Sequence, residues 1–272
     1  MTARSICRAG VPAVLALLAA CDRSEPADAP APVSSEPPPV VTVAPMGRAA
    51  LVDGLAVAAS DFATNRPITT ATLANRTFSI RIPFACGGTS PVSEAVEDVA
   101  PAPAPRGVAT ATATDAGITL EVLPADWTRS TLVDAADPPT WDGVEGYWVS
   151  RPWIRSEDCA SSSDVQIAGP APVPTMGLAA IRPAGGSRLG RPGESYRFVV
   201  RSEEGSPAIR PNGGYRLLLE GRISAFPDGR PVRCTSNGAD RAPTCIAAVA
   251  LDLIAFETPT GERLSEWRPN QG

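Results

Sequence analysis

Residues 213–267 read GGYRLLLEGRISAFPDGRPVRCTSNGADRAPTCIAAVALDLIAFETPTGERLSEW, and this stretch decides the fold. Gly214–Phe226 and Cys245–Glu257 are two long runs rich in Leu, Ile, Val and aromatic residues. Apolar, β-branched and aromatic runs bounded by turn residues are strand signals. Asp228-Gly229 and Thr260-Gly261 supply the turns, because Gly adopts positive φ freely and Asp bonds to nearby backbone. The order predicts an antiparallel meander that forms the sheet against which the remaining chain packs. Cys234 and Cys245 lie where the connection between the two runs can be stapled.

Working outward, Arg76–Cys86 (RTFSIRIPFAC) alternates Phe78, Ile80, Ile82 and Phe84 with Thr77, Ser79 and Arg81. That period of two is a half-buried strand. Pro83 lacks a ladder donor, so this strand belongs at an edge or ends there. Val108–Thr114 and Ile118–Leu123 flank Asp115-Ala116-Gly117 and predict a hairpin with a three-residue connection. Tyr196–Arg201 is a further strand, and Gly146–Val149 and Asp164–Ala168 are shorter ones. Ser90–Arg106 is acidic and Pro-rich, a loop. Gly169–Pro192 is rich in Gly and Pro and carries no regular signal.

Arg48–Ala63 is the helix of the chain: Leu51, Leu55, Ala58 or Ala59, and Phe62 recur at three-to-four spacing. Gly54 weakens it by about 1 kcal/mol relative to Ala, and Pro67 ends anything before it. The helix is expected to cap the sheet. It has no basic face of the kind that holds a helix on a membrane surface. The fold class that follows is all-β, an antiparallel β-sandwich of about eight to ten strands with one N-terminal helix. Residues 47–272 form a single β-rich domain on this reading. The 30 prolines in 272 residues fit many loops and few long helices.

The N-terminus carries a different signal. Arg4 and Arg8 precede a short apolar stretch, Ala9–Ala20, too short to span a bilayer. It ends in Leu18-Ala19-Ala20-Cys21, which resembles the lipobox of bacterial lipoproteins. The resemblance covers about 21 residues and implies that 1–20 are a signal peptide. It further implies that Cys21 becomes the first residue and carries a diacylglycerol and an amide-linked acyl chain such as palmitate. Each buried methylene contributes about 0.8 kcal/mol, so several chains anchor stably. The implied location is the cell membrane facing the periplasm. Asp22 resembles an inner-membrane retention signal, although the rule differs among bacteria. Asp22–Met46 is rich in Pro, Ala and Ser and has little to bury, so it is expected to be a semi-extended tether. Its 25 residues reach roughly 75 Å in polyproline geometry.

With Cys7 removed and Cys21 acylated, Cys86, Cys159, Cys234 and Cys245 remain. An even number in an exported chain argues for disulfides, and four cysteines allow three pairings. The short loop between them favours Cys234–Cys245, which leaves Cys86–Cys159. A zinc site is disfavoured, since no two cysteines are close in the Cys-x2-Cys manner and the chain has no histidine. No metal or other cofactor is expected.

The composition excludes several kinds of chemistry. Zero histidine removes Ser-His-Asp and Cys-His catalysis, and the absence of lysine removes Ser-Lys dyads and Schiff bases. No phosphate loop or dinucleotide fingerprint is present. Net charge is −5, or −7 once Arg4 and Arg8 leave (22 Arg against 29 acids). A dispersed, acidic chain is a poor partner for nucleic acid. Asp126, Asp134, Asp137, Asp142 and Glu145 can supply paired carboxylates for glycoside hydrolysis, against which stands their reading as solvated loop acids. Asp134, Asp137 and Asp142 do not fit a calcium loop.

Trp127, Trp141, Trp148 and Trp153 fall in one segment. They form either a stacking surface for sugar or peptide or the aromatic part of the core. The expected function is that of a lipid-anchored envelope module with a structural or interaction role and no catalysis. The alternative is a carbohydrate- or peptidoglycan-binding module using Trp127–Trp153. Expected partners are membrane lipid through Cys21 and an envelope protein or glycan.

Overall fold

The longest strand organises the molecule. In the computed structural model, which describes residues 43–87, 106–114, 117–133, 141–160, 174–183, 195–201 and 210–268, that strand runs from Thr244 to Glu257. The described elements in chain order are α1 (Arg48–Ala63), β1 (Thr77–Phe84), β2 (Ala109–Thr114), β3 (Gly117–Val122), β4 (Ala125–Asp126), β5 (Trp141–Trp148), β6 (Met176–Pro183), β7 (Tyr196–Arg201), β8 (Tyr215–Ile223), β9 (Val232–Thr235), β10 (Thr244–Glu257) and β11 (Arg263–Trp267). They make an eight-stranded sheet and a three-stranded sheet, β2-β3-β7. The architecture is the all-β sandwich with one helix that the sequence predicts.

Two partners flank each half of β10. Cys245 faces Cys234 of β9 on one side and Met176 of β6 on the other. Further along, Ile254 faces Leu219 of β8 and Trp267 of β11. Val249 pairs with Ile223 and Ala247 with Val232, so β8 and β9 run along the same edge of β10 with residues 224–231 looped out between them. The loop closes on itself: the Phe226 N–H donates to the Arg230 carbonyl at 2.9 Å and the Gly229 N–H to the Phe226 carbonyl at 2.8 Å. The meander is therefore present, and β1 extends it at the edge, antiparallel to β8 from Thr77↔Arg222 to Phe84↔Tyr215. Pro83 sits on that outermost strand, where its missing N–H interrupts no ladder.

The structure corrects the sequence reading at three points. Met176–Pro183, expected to be irregular, is a strand and pairs parallel with β10, Cys245↔Met176 through Val249↔Ala180. The sheet is thus mixed rather than wholly antiparallel. β5 covers Trp141–Trp148, twice the length expected from Gly146–Val149. The β2–β3 pairing continues to Thr114↔Gly117, so the connection is one residue shorter than expected. The short strand expected at Asp164–Ala168 and the loop at 90–105 lie outside the described residues.

The main core lies between the sheets and under α1. Phe78, Ile80, Ile82 and Phe84 of β1 meet Leu217 and Leu219 of β8, Ile118, Leu120 and Val122 of β3, and Leu51 and Leu55 of α1. A second cluster covers the opposite face of the large sheet with Trp127, Val133, Trp141, Val144, Phe226, Ile246 and Ala248. α1 packs as its periodicity requires, with Leu51, Leu55 and Ala58 fully buried. Gly54 has a packing reason: a Cβ there would stand 2.6 Å from the Leu73 side chain. The helix gives up about 1 kcal/mol of propensity and accommodates the buried Leu73 against its side.

Candidate functional site

Three of the five candidate carboxylates converge. β4 pairs with β5 so that Asp126 stands opposite Glu145. Together with Arg106, Thr128, Asp142 and Arg182 they line a cleft of about 220 Å³ at the end of the large sheet. Asp134 and Asp137 lie outside the described residues. Glu145 is engaged inward: its Oε2 lies 2.5 Å from Nη2 of Arg182 on the neighbouring strand and accepts the Tyr147 hydroxyl at 3.0 Å. Burial, then the adjacent Glu145 charge, pushes the Tyr147 phenol well above its ordinary range. Burial and the Glu145 charge also raise Tyr196. Burial alone would lower Arg182, but the hydrogen bond and charge of Glu145 outweigh it and raise Arg182.

The outward carboxylate is equally committed. Asp126 Oδ1 accepts the Thr128 N–H at 3.0 Å. Hydrogen bonds from Thr128 hold its carboxyl below the usual range. Glycoside hydrolysis needs one carboxylic acid whose pKa is raised enough to deliver a proton. Asp126 is shifted the other way, and Glu145 Oε2 accepts from both its neighbours. The contacts of Asp126 and Glu145 brace the end of the sandwich. Among the described residues no group of three or more Cys, Asp or Glu has metal-binding geometry.

The tryptophans separate by burial. Trp127 is 5% exposed and Trp141 4%, so neither offers a ring face to a ligand. For these two residues the core role of the two expected alternatives holds. The Trp127 indole lies over two glycines of adjacent strands: a Cβ on Gly146 would fall 2.2 Å from it, and one on Gly177 2.8 Å. Trp148, half-buried, meets Trp127 edge to face with centroids 4.7 Å apart. Glycine in a strand normally reads as a weak point; here the missing side chains admit the indole. Trp153 is different, with 61% of its surface exposed.

Trp153 sits on a loop that is fixed from several directions. At the first turn of α1, the Arg48 guanidinium is 1% exposed. Its Nη2 donates to the carbonyls of Ser150 at 2.6 Å and Arg151 at 3.1 Å, and its Nε to that of Ile154 at 3.0 Å. Burial holds the Arg48 pKa below its ordinary value, against the pull of Glu157. Glu157 Oε1 accepts the backbone N–H of Arg48 at 3.1 Å, and Oε2 lies 3.5 Å from Nη1 of Arg81. Arg81 in turn donates at 2.7 Å to Glu257, which is nearly inaccessible. At the far end the loop is closed by the Cys86–Cys159 disulfide, Cα–Cα 5.4 Å. Arg155 reaches back to Asp53 of α1 at 2.6 Å.

The other bridge joins Cys234 and Cys245, directly paired residues of β9 and β10 with Cα atoms 4.1 Å apart. Both pairings are those the spacing favours. Arg48 and the Trp127–glycine contact were not anticipated. The first carries no signal beyond an arginine at a helix start. The second left a trace in Gly177, which interrupts an otherwise apolar run. Cys21 and residues 22–42 of the tether lie outside the described residues, and the end of the expected tether is corrected: Met46 is buried and bonded to the edge of β1. No protein-family model, no curated protein and no solved structure matches this chain.

Proposed function

We propose that this chain is an exported lipoprotein: a β-sandwich tethered to the cell membrane through acylated Cys21, serving as an interaction module of the envelope without catalytic chemistry. The observation that carries the reading is the pair of disulfides, Cys86–Cys159 and Cys234–Cys245. Disulfides persist in oxidising compartments and are rare where thiols are kept reduced. The Leu18-Ala19-Ala20-Cys21 sequence adds the anchor, and the Pro-rich stretch after it supplies a spacer. Membrane fractionation of wild type and Cys21→Ser tests it. Wild type is expected with the membranes and the variant in the soluble periplasmic fraction; equal retention of both removes the anchor.

One observation favours a second reading, binding of an envelope glycan. Trp153 offers an open indole on a braced loop, the geometry of a stacking platform. Retention on peptidoglycan that is lost in Trp153→Ala would support this reading, and no retention of wild type would end it.

A further inference from the structure

The exposed large hydrophobic residues of the described chain lie on α1 or on segments joined to it, at the pole where the described chain enters the fold. They are Val43, 69% exposed, Val57, 49%, and Trp153, 61%. Val43 lies three residues before Met46, whose N–H donates to the Thr77 carbonyl at 2.9 Å and whose carbonyl accepts the Ser79 N–H at 3.0 Å. The chain therefore enters the fold at the edge of β1, directly ahead of α1. The loop that carries Trp153 is held to the first residue of that helix by the bonds from Arg48 to the carbonyls of Ser150, Arg151 and Ile154.

The outer face of α1 continues the same surface. At about 100° per residue, Ala49, Ala56, Val57, Ser60 and Ala63 share the exposed side with Asp53. Asp53 is the charged residue of that side, and Arg155 neutralises it at 2.6 Å. Arg155 is two residues from Trp153, so the ion pair ties the loop to this face of the helix. The surface is small, its central charges are paired with each other, and it carries an indole at its rim.

We infer that this pole rests on the interfacial layer of the bilayer that holds the anchor, with Trp153 in the headgroup region. The inference depends on the lipoprotein reading above. Tryptophan suits the membrane–water boundary because its ring is apolar and its N–H polar. The face has no excess of Arg, so contact does not require anionic lipid. By itself so small a patch binds a vesicle weakly. Acylated Cys21 changes that, because only residues 22–42 separate it from Val43 and a linked second contact acts at high effective concentration. A span of 21 residues reaches at most about 70 Å and sets no lower limit, so the domain is free to settle onto the surface.

Fluorescence quenching tests this on the full-length, acylated protein in neutral phosphatidylcholine vesicles brominated near the headgroups. Wild type is compared with Trp153→Phe, which keeps an aromatic ring and removes the fluorophore. The expected result is quenching of the share of emission that one of five tryptophans supplies. Trp153→Phe, equally vesicle-bound, should show none. Equal quenching of both proteins, or of neither while both remain bound, overturns the inference. Failure of the anchor is read separately, by flotation of Cys21→Ser with the vesicles as completely as wild type.

Discussion

Arg48 shows how much one side chain can organise. Its guanidinium is out of water and satisfies three carbonyls from a loop more than one hundred residues away in sequence. Removing it takes the charged donor from the part-buried carbonyls of Ser150 and Ile154, while that of Arg151 keeps the Ile154 N–H at 2.9 Å. Arg48→Met is expected to lower stability by about 3 kcal/mol or more, since hydrogen bonds to charged groups contribute about 1.5–3 kcal/mol each and do not sum fully. A urea midpoint with both disulfides intact measures it, and an unchanged midpoint would refute it. Arg48→Lys should restore only part, because an ammonium cannot reproduce the planar fork. This residue was not legible in the sequence: an arginine at a helix start reads as a solvated cation, and the carbonyls it meets have no sequence signature. The Trp127 site was half legible. Aromatic clustering was evident, but the sheet surface that receives the indole is defined by two glycines from strands that had to be paired first. Gly146→Ala puts a methyl where the ring lies, 2.2 Å away. It should cost about 1–3 kcal/mol and change the near-UV signal of the tryptophans.

At the scale of elements, legibility followed local pattern. β1, β8, β10 and α1 announce themselves because their side chains alternate or recur against one core, and each was found nearly to the residue. β6 did not, because one of its two partners is parallel and nearly seventy residues downstream (Cys245↔Met176). Its Met-Gly-Leu-Ala-Ala run, flanked by Pro and Gly, has no alternation to read. It packs on both faces, Leu178 and Ala180 in the main core and Ala179 in the outer cluster, and strands buried on both faces lose their period. The disulfides brace the two ends of this arrangement differently. Cys234–Cys245 closes a separation of 11 residues and Cys86–Cys159 one of 73. On chain-entropy grounds, replacing the first pair with Ser should cost about 3 kcal/mol and the second about 4 kcal/mol. Denaturation of the two double variants checks the order. A larger loss from the shorter loop would show that native contacts, not loop closure, decide it.

For the whole molecule, the missing residue types shape the response to pH. With no histidine or lysine, the described fold offers no side chain that ordinarily titrates near neutrality. Asp61 is held below the usual carboxylate range by hydrogen bonds from Thr69, Asp126 by those from Thr128, and Glu266 by those from Arg268 and Arg263. A carboxyl depressed in the folded state binds its proton less well than in the unfolded chain. Its contribution is complete above the ordinary carboxylate value and disappears as pH falls through the depressed one. Tyr147, Tyr196 and Tyr215 are raised, chiefly by burial. Their contribution is complete below the ordinary phenol value and is lost as pH rises past it. Stability should therefore be flat from about pH 6 to 9 and fall on both sides. A marked slope near pH 7 in denaturant midpoints would contradict this.

The intact mass of the protein extracted from membranes tests the central proposal most directly. The expected species begins at Cys21, carries a diacylglycerol and a third acyl chain, and is lighter by the four hydrogens of two disulfides. A chain that still begins at Met1 without acylation, or four thiols open to alkylation before reduction, would contradict it.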